Sequence, residues 1–113
     1  MGHRVYRRVR PLVGWAFGRG TGQRGAVAEL LAEHGPALRR PHSGHIATSR
    51  HANMKELIIQ HAARPYRVLY AFDPRRTALL LIGGDKTGND RWYDEFVPVA
   101  DRLFDEHLAA LGR

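Results

Sequence analysis

Hydrophobic and polar positions follow two different periods along this chain. Val27, Leu30, Leu31 and His34 fall at i, i+3, i+4 and i+7, which predicts a helix over residues 26–34. Gly35-Pro36 reads as its stop, with glycine at the cap and proline just beyond. Residues 36–49, broken by Pro41 and Gly44, read as loop. From Met54 onward the period shortens. Leu57–His61, Tyr66–Phe72 and Thr77–Ile82 are runs rich in aliphatic, β-branched and aromatic residues, separated by turns at Ala62–Pro65 and Asp73–Arg76. They predict an antiparallel meander. The third run is almost wholly apolar, which predicts a central strand covered on both faces. Gly83–Asn89 reads as a polar loop. Trp92, Phe96, Val99, Leu103 and Leu111 return near helical spacing and predict a helix over residues 90–111, which Pro98 either kinks or opens. Near the start, Val5, Tyr6 and Val9 suit a short strand, and Gly14, Gly18, Gly20, Gly22 and Gly25 oppose any long helix.

Composition narrows the class. The 113 residues suit one domain with one modest core, which excludes a large multi-substrate enzyme. With no cysteine, a disulfide framework, Cys-ligated zinc, iron–sulfur clusters and thiol catalysis are excluded together, and a reducing compartment is favoured. Pro11–Phe17 is apolar but far too short to span a membrane, no small-residue cleavage site follows it, and Tyr6 stands where a myristoylation signal wants Ser or Thr. A cytoplasmic protein with no membrane association is expected.

The net charge of +7 points to a polyanionic partner, nucleic acid by default. The charge is segregated. Residues 1–25 carry six arginines and no acid, residues 34–84 eight basic residues and two acids, and residues 85–113 four basic residues and seven acids. This pattern suits one binding face plus one solvated helix.

The meander says which polar residues share a face. In the simplest hairpin register Gln60 opposes Arg67 and Ile58 opposes Leu69. Glu56, Ile58, Gln60, Arg67 and Leu69 then lie on one face, with Tyr66, Val68, Tyr70 and Phe72 on the other, expected to be the core side. Arg67 projects from mid-strand, away from the aromatic residues. It either pairs with Glu56 or another acid, or serves as a phosphate ligand whose planar guanidinium holds two oxygens at once. Lys86 follows the third strand in a polar loop, a position where a scaffold presents working side chains, although a solvated lysine fits there too. Gly83–Gly88 is not a nucleotide-binding P-loop, because Asp85 occupies the place of the glycine before the lysine. Trp92 reads as core; Tyr93 is open between core and site. The acids Asp85, Asp90, Asp94 and Glu95 have no metal-cage spacing and suit a helix start. His42, His45 and His51 lack a carboxylate at ligand spacing, so no metal and no cofactor are expected.

Ser49-Arg50-His51-Ala52-Asn53-Met54-Lys55-Glu56-Leu57, Arg64-Pro65-Tyr66-Arg67-Val68-Leu69-Tyr70-Ala71-Phe72-Asp73-Pro74 and Leu81-Ile82-Gly83-Gly84-Asp85-Lys86-Thr87-Gly88, in this order, resemble the phage Gp49-like, HigB-type toxins of the RelE/ParE superfamily. Trp92-Tyr93 and Pro98-Val99-Ala100-Asp101-Arg102-Leu103 extend the likeness over residues 26–113, leaving 1–25 as an atypical Gly/Arg-rich, poorly ordered segment. The resemblance implies an α+β fold in which N-terminal helices pack on a curved antiparallel sheet, with a helix near the C-terminus. It implies a type II toxin that cleaves mRNA on the translating ribosome by metal-free attack of a 2′-hydroxyl on the adjacent phosphate. Its partners would be the ribosome, mRNA and a helix-turn-helix antitoxin, with operator DNA reached only through that antitoxin. The catalytic residues implied are Arg67, Lys86, Lys55 and Tyr93, with Tyr93 or a lysine of lowered pKa taking the 2′-hydroxyl proton. Arg64, Arg50 and Arg91 would bind RNA.

The sequence departs from the family pattern at Ile58, where an arginine usually follows Lys-Glu-Leu, and one phosphate contact is absent from the set. That departure sustains two alternatives: a binding-only member of the gyrase-inhibiting kind, and an inactive toxin retained as an antitoxin or co-repressor partner.

Overall fold

The computed structural model describes residues 9–11, 29–61 and 63–112, with Val9–Pro11 and His61 as backbone only. In chain order its elements are β1 (Val9–Pro11), a helical segment α1 (residues 29–34) running into a 3-10 turn (Gly35–Ala37), β2 (Ser43–His45), β3 (Lys55–His61), β4 (Arg64–Phe72), β5 (Ala78–Asp85) and α2 (Trp92–Leu111). The fold is α+β. The strands form one sheet in the order β1-β5-β4-β3-β2, antiparallel except for β1, which runs parallel to β5.

The meander forms as its runs predict, with closer turns. Arg64 and Pro65 join β4, and the chain reverses at Ala63, which takes a positive φ of 62°. The register is therefore displaced by two residues from the simplest one: Ile58 opposes Arg67 and Gln60 opposes Pro65. A two-residue displacement preserves the faces, because side chains alternate with period 2. Glu56 and Arg67 remain on one face.

That face is covered rather than open, which corrects the expectation of a single core side. Leu69, Ala71, Leu79 and Leu81 pack with Trp92, Val97, Ala100 and Phe104 of α2. On the other face Leu57, Ile59, Val68, Tyr70 and Ala78 pack with Leu31 and Leu38. The run in β5 meets both clusters, so its lack of polar residues is the mark of a doubly covered strand.

Three further elements differ from the sequence reading. The predicted loop over residues 36–49 contains β2, an edge strand whose Ser-Gly-His carries no apolar alternation to reveal it. β5 continues through Gly83 and Gly84 to Asp85, into the predicted polar loop. Pro98 lies inside α2 and opens no new helix; the Asp94 carbonyl that its missing N–H would have served belongs to an exposed residue. At the start of the chain, Val9–Pro11 joins the sheet as β1, while Val5 and Tyr6 lie outside the described residues. The predicted helix is described from residue 29, and Gly35 ends it with a φ of 57°, as its cap position requires. No helix among the described residues is long and apolar enough to cross a membrane.

Candidate active site

The site forms where α2 begins over the sheet. Trp92, 2% exposed, is buried in the core at the first turn of α2 and fixes the helix start. The next residue, Tyr93, is thereby carried over β3, where its hydroxyl donates to Glu56 Oε1 at 2.7 Å. Arg67, from the strand beside β3, brings Nε to 3.5 Å from the same oxygen. The Glu56 and Arg67 side chains are 9% and 15% exposed, so this is a largely desolvated pair. Arg67 Nη1 donates to the Tyr66 carbonyl at 3.0 Å, and its buried Nε has no hydrogen-bond partner among the described residues.

Lys86 enters from the loop after β5, with Nζ 5.1 Å from the centroid of the Tyr93 ring. Two local devices place it. Its backbone N–H donates to the Pro65 carbonyl at 3.0 Å. Asp85 closes a tight turn by accepting from the Thr87 N–H at 2.8 Å and the Thr87 hydroxyl at 2.5 Å. Arg64 Nη1 holds the other Asp85 oxygen at 2.9 Å. These bonds lower the Asp85 pKa to about 2, Thr87 contributing most.

Burial, and then the Glu56 carboxylate, push the Tyr93 phenol up to about 12, against a smaller opposing pull from Arg67. At neutral pH Tyr93 keeps its proton and can donate it, which does not suit the task of a base. Glu56 is the carboxylate at the centre of the site. The sequence reading treats it only as a partner for Arg67; its signal is its place on the Arg67 face as the one acid in the meander strands before Asp85.

The structure thus brings Arg67 and Tyr93 onto Glu56, with Lys86 beside the Tyr93 ring. Lys55 is elsewhere. Adjacent to Glu56 in β3, it points to the opposite face, and its ammonium donates to the Pro36 carbonyl at 3.0 Å. Lys55 is indeed a lysine of lowered pKa, through burial and then the nearby Arg39 guanidinium, but not in this site. Arg64 is tied to Asp85 beside the Lys86 turn, and Arg64 accordingly titrates above its ordinary value through that hydrogen bond. Arg91 is exposed at the N-cap of α2, its N–H on Asn89 Oδ1 at 3.0 Å.

Arg50 belongs to a different cluster. Its guanidinium bonds Asp105, whose other oxygen meets His51 Nε2 at 2.7 Å. The His51 and Arg50 contacts hold Asp105 below the usual carboxylate range. Ser49 Oγ donates to the buried Asp101 at 2.5 Å, so this loop is fastened to α2. His45 Nε2 contacts the Ala52 carbonyl at 3.0 Å, and no group of three or more His, Asp or Glu among the described residues could hold a metal ion.

The family model of the phage derived protein Gp49-like matches residues 22–105. The candidate toxin HigB2 of Mycobacterium tuberculosis is 48% identical over 86 residues, 74% of this chain and 43% of that protein. The candidate toxin HigB3 of the same organism is 47% identical over 87 residues, 76% of this chain and 74% of that protein. The chain therefore spans under half of the first relative and about three quarters of the second. No solved structure is a significant match.

Proposed function

The chain is a HigB-type member of the phage-derived Gp49-like family, and from that premise we propose that it is the toxin of a type II toxin–antitoxin pair and cleaves mRNA on the ribosome. The observation that carries the reading is that Arg67 and Tyr93, from separate elements, meet on the Glu56 carboxylate, with Lys86 over the Tyr93 ring. Arg67 and Lys86 neutralise the charge that builds on a phosphorane, work that fixed cations do well in a partly desolvated site. Glu56 accepts the 2′-hydroxyl proton as that oxygen bonds to phosphorus. Tyr93 gives its proton to the departing 5′-oxygen as the P–O5′ bond breaks. The products are a 2′,3′-cyclic phosphate and a 5′-hydroxyl. Because Tyr93 donates to Glu56 in the resting site, the proton on Glu56 can return to the phenolate and restore both groups. The antitoxin partner is a helix-turn-helix protein, and operator DNA is reached through it.

A second reading has its own observation. Ile58, where the family pattern has arginine, is the direct cross-strand neighbour of Arg67, so the site holds one cation fewer at its centre. A binding-only protein needs no more. Primer extension of mRNA 5′ ends after induction separates the two. Codon-phased cuts that vanish with Arg67→Ala support the nuclease, the cleavage rate falling about a hundredfold. DNA breaks with intact mRNA favour the binding-only protein.

A further inference from the structure

The β2 edge of the sheet carries a second concentration of positive charge. A cleft of about 450 Å³ there is lined by Arg39, Arg40, Ser43, Gly44, His45 and Lys55, with Leu38. No lining residue is acidic. Arg39 and Arg40 are exposed, and neither they nor Lys55 form an ion pair with a described carboxylate. The Lys55 ammonium is instead spent on a backbone carbonyl. Like charges crowded around a concavity oppose folding, and the one carboxylate toward which Arg40 reaches, Glu56, is already paired with Arg67; an anion would compensate them.

Gly44 ties this cleft to the active site. It pairs with Glu56 across the β2–β3 ladder. A Cβ at position 44 would stand 3.0 Å from Arg40 Nη2 and 3.3 Å from Glu56 Oε2. The missing side chain lets the Arg40 guanidinium lie across β2 toward the carboxylate at the centre of the site.

We infer that this cleft binds RNA backbone phosphate beside the scissile linkage, with Arg39 and Arg40 as the ligands at its mouth and Lys55 behind them. The inference rests on the RNA-directed reading above. It gives Lys55 a role in substrate binding from the opposite face of the sheet, outside the chemical step.

The test is the salt dependence of binding to a short 2′-O-methyl RNA, which cannot be cleaved, read by fluorescence anisotropy. Both arginines are exposed, so Arg39→Gln/Arg40→Gln leaves the core untouched. Removing one cationic phosphate ligand from a single-strand complex lowers the magnitude of the log K against log salt slope by about 0.7, so the double variant should fall by roughly 1.4. Arg39→Lys/Arg40→Lys should keep the wild-type slope, because the effect counts charges. If wild type binds RNA and the glutamine variant keeps its slope, the cleft assignment is overturned while the RNA reading stands. If wild type shows no salt-dependent RNA binding, the cleft assignment is likewise overturned, and cleavage on the ribosome is judged separately by the primer extension above.

Discussion

Glu56 and Arg67 form a buried pair whose worth to the fold can be worked out. At 3.5 Å, and with an effective dielectric constant of about 20, their attraction is about 5 kcal/mol. Against it stand several kcal/mol of desolvation for each ion, and Arg67 Nε adds an unsatisfied donor. The sum lies near zero, so the pair contributes little net stability although losing one partner is costly. Arg67→Met should destabilise the protein by about 3 kcal/mol, because Glu56 is left charged with the Tyr93 hydroxyl as its main remaining partner. Adding Glu56→Gln removes the stranded charge and keeps an acceptor for Tyr93. The double variant should return to within about 1 kcal/mol of wild type. Urea unfolding followed by circular dichroism measures all members of the cycle, and growth arrest on expression is scored in parallel. Arrest should be lost in the single and the double variant alike, separating chemistry from folding. A double variant as unstable as Arg67→Met, or an Arg67→Met protein as stable as wild type, would refute this energetic account.

Tyr93→Phe removes the hydroxyl bond to Glu56, so it should cost about 1.5–3 kcal/mol in urea unfolding and slow cleavage of mRNA held on ribosomes by about a hundredfold or more; an unchanged rate removes Tyr93 as proton donor. Asp85 has a folded pKa of about 2, below its ordinary 3.8, so its bonds to Thr87 and Arg64 contribute stability fully present above about pH 4 and lost as pH falls toward 2. An NMR titration of the Asp85 carboxyl should give a midpoint near the lower of those values, and a midpoint near the ordinary value contradicts the turn. Asp73, 6% exposed, accepts from the Arg75 and Thr77 N–H groups and contacts His107 Nε2 at 2.8 Å, so Asp73→Ala should cost about 2–3 kcal/mol in urea unfolding, with Asp73→Asn recovering part of it.

The meander and α2 are legible in the sequence because hydrophobic period is a local signal. The Arg67 face is legible for a related reason: alternation survives any even displacement of register, so a two-residue error at the Ala62–Pro65 turn still leaves Glu56 and Arg67 together. β2 is hidden because an edge strand of Ser-Gly-His is held by its neighbour's hydrogen bonds and carries no pattern of its own. Lys55 is misplaced for the opposite reason. The resemblance supplies it as a site residue, yet alternation from Glu56 already puts it on the other face. Glu56 is undervalued because a carboxylate beside an arginine reads as a counter-ion, and only the Tyr93 hydroxyl, brought from 37 residues away, gives it a second role.

The residues that make this sequence recognisable divide into two sets. Arg67 and Tyr93 contact Glu56, and Lys86 lies over the Tyr93 ring. Ser49, His51, Asp73 and Asp101, equally part of the recognised blocks, touch none of these; they fasten α2 to the sheet through Asp101, Asp105 and His107. The second set has a reason to accompany the first. The Tyr93–Glu56 bond of 2.7 Å joins a helix to a strand, so its length is only as fixed as the helix. A core of Val97, Ala100 and Phe104 alone tolerates small sliding, since dispersion contacts carry no direction. Directional bonds at the middle and in the C-terminal half of α2 remove that freedom. Proton transfer loses efficiency when donor and acceptor move beyond hydrogen-bond reach, so under the proposed cleavage mechanism the fastenings on α2 would serve the chemistry although none of them reaches the site.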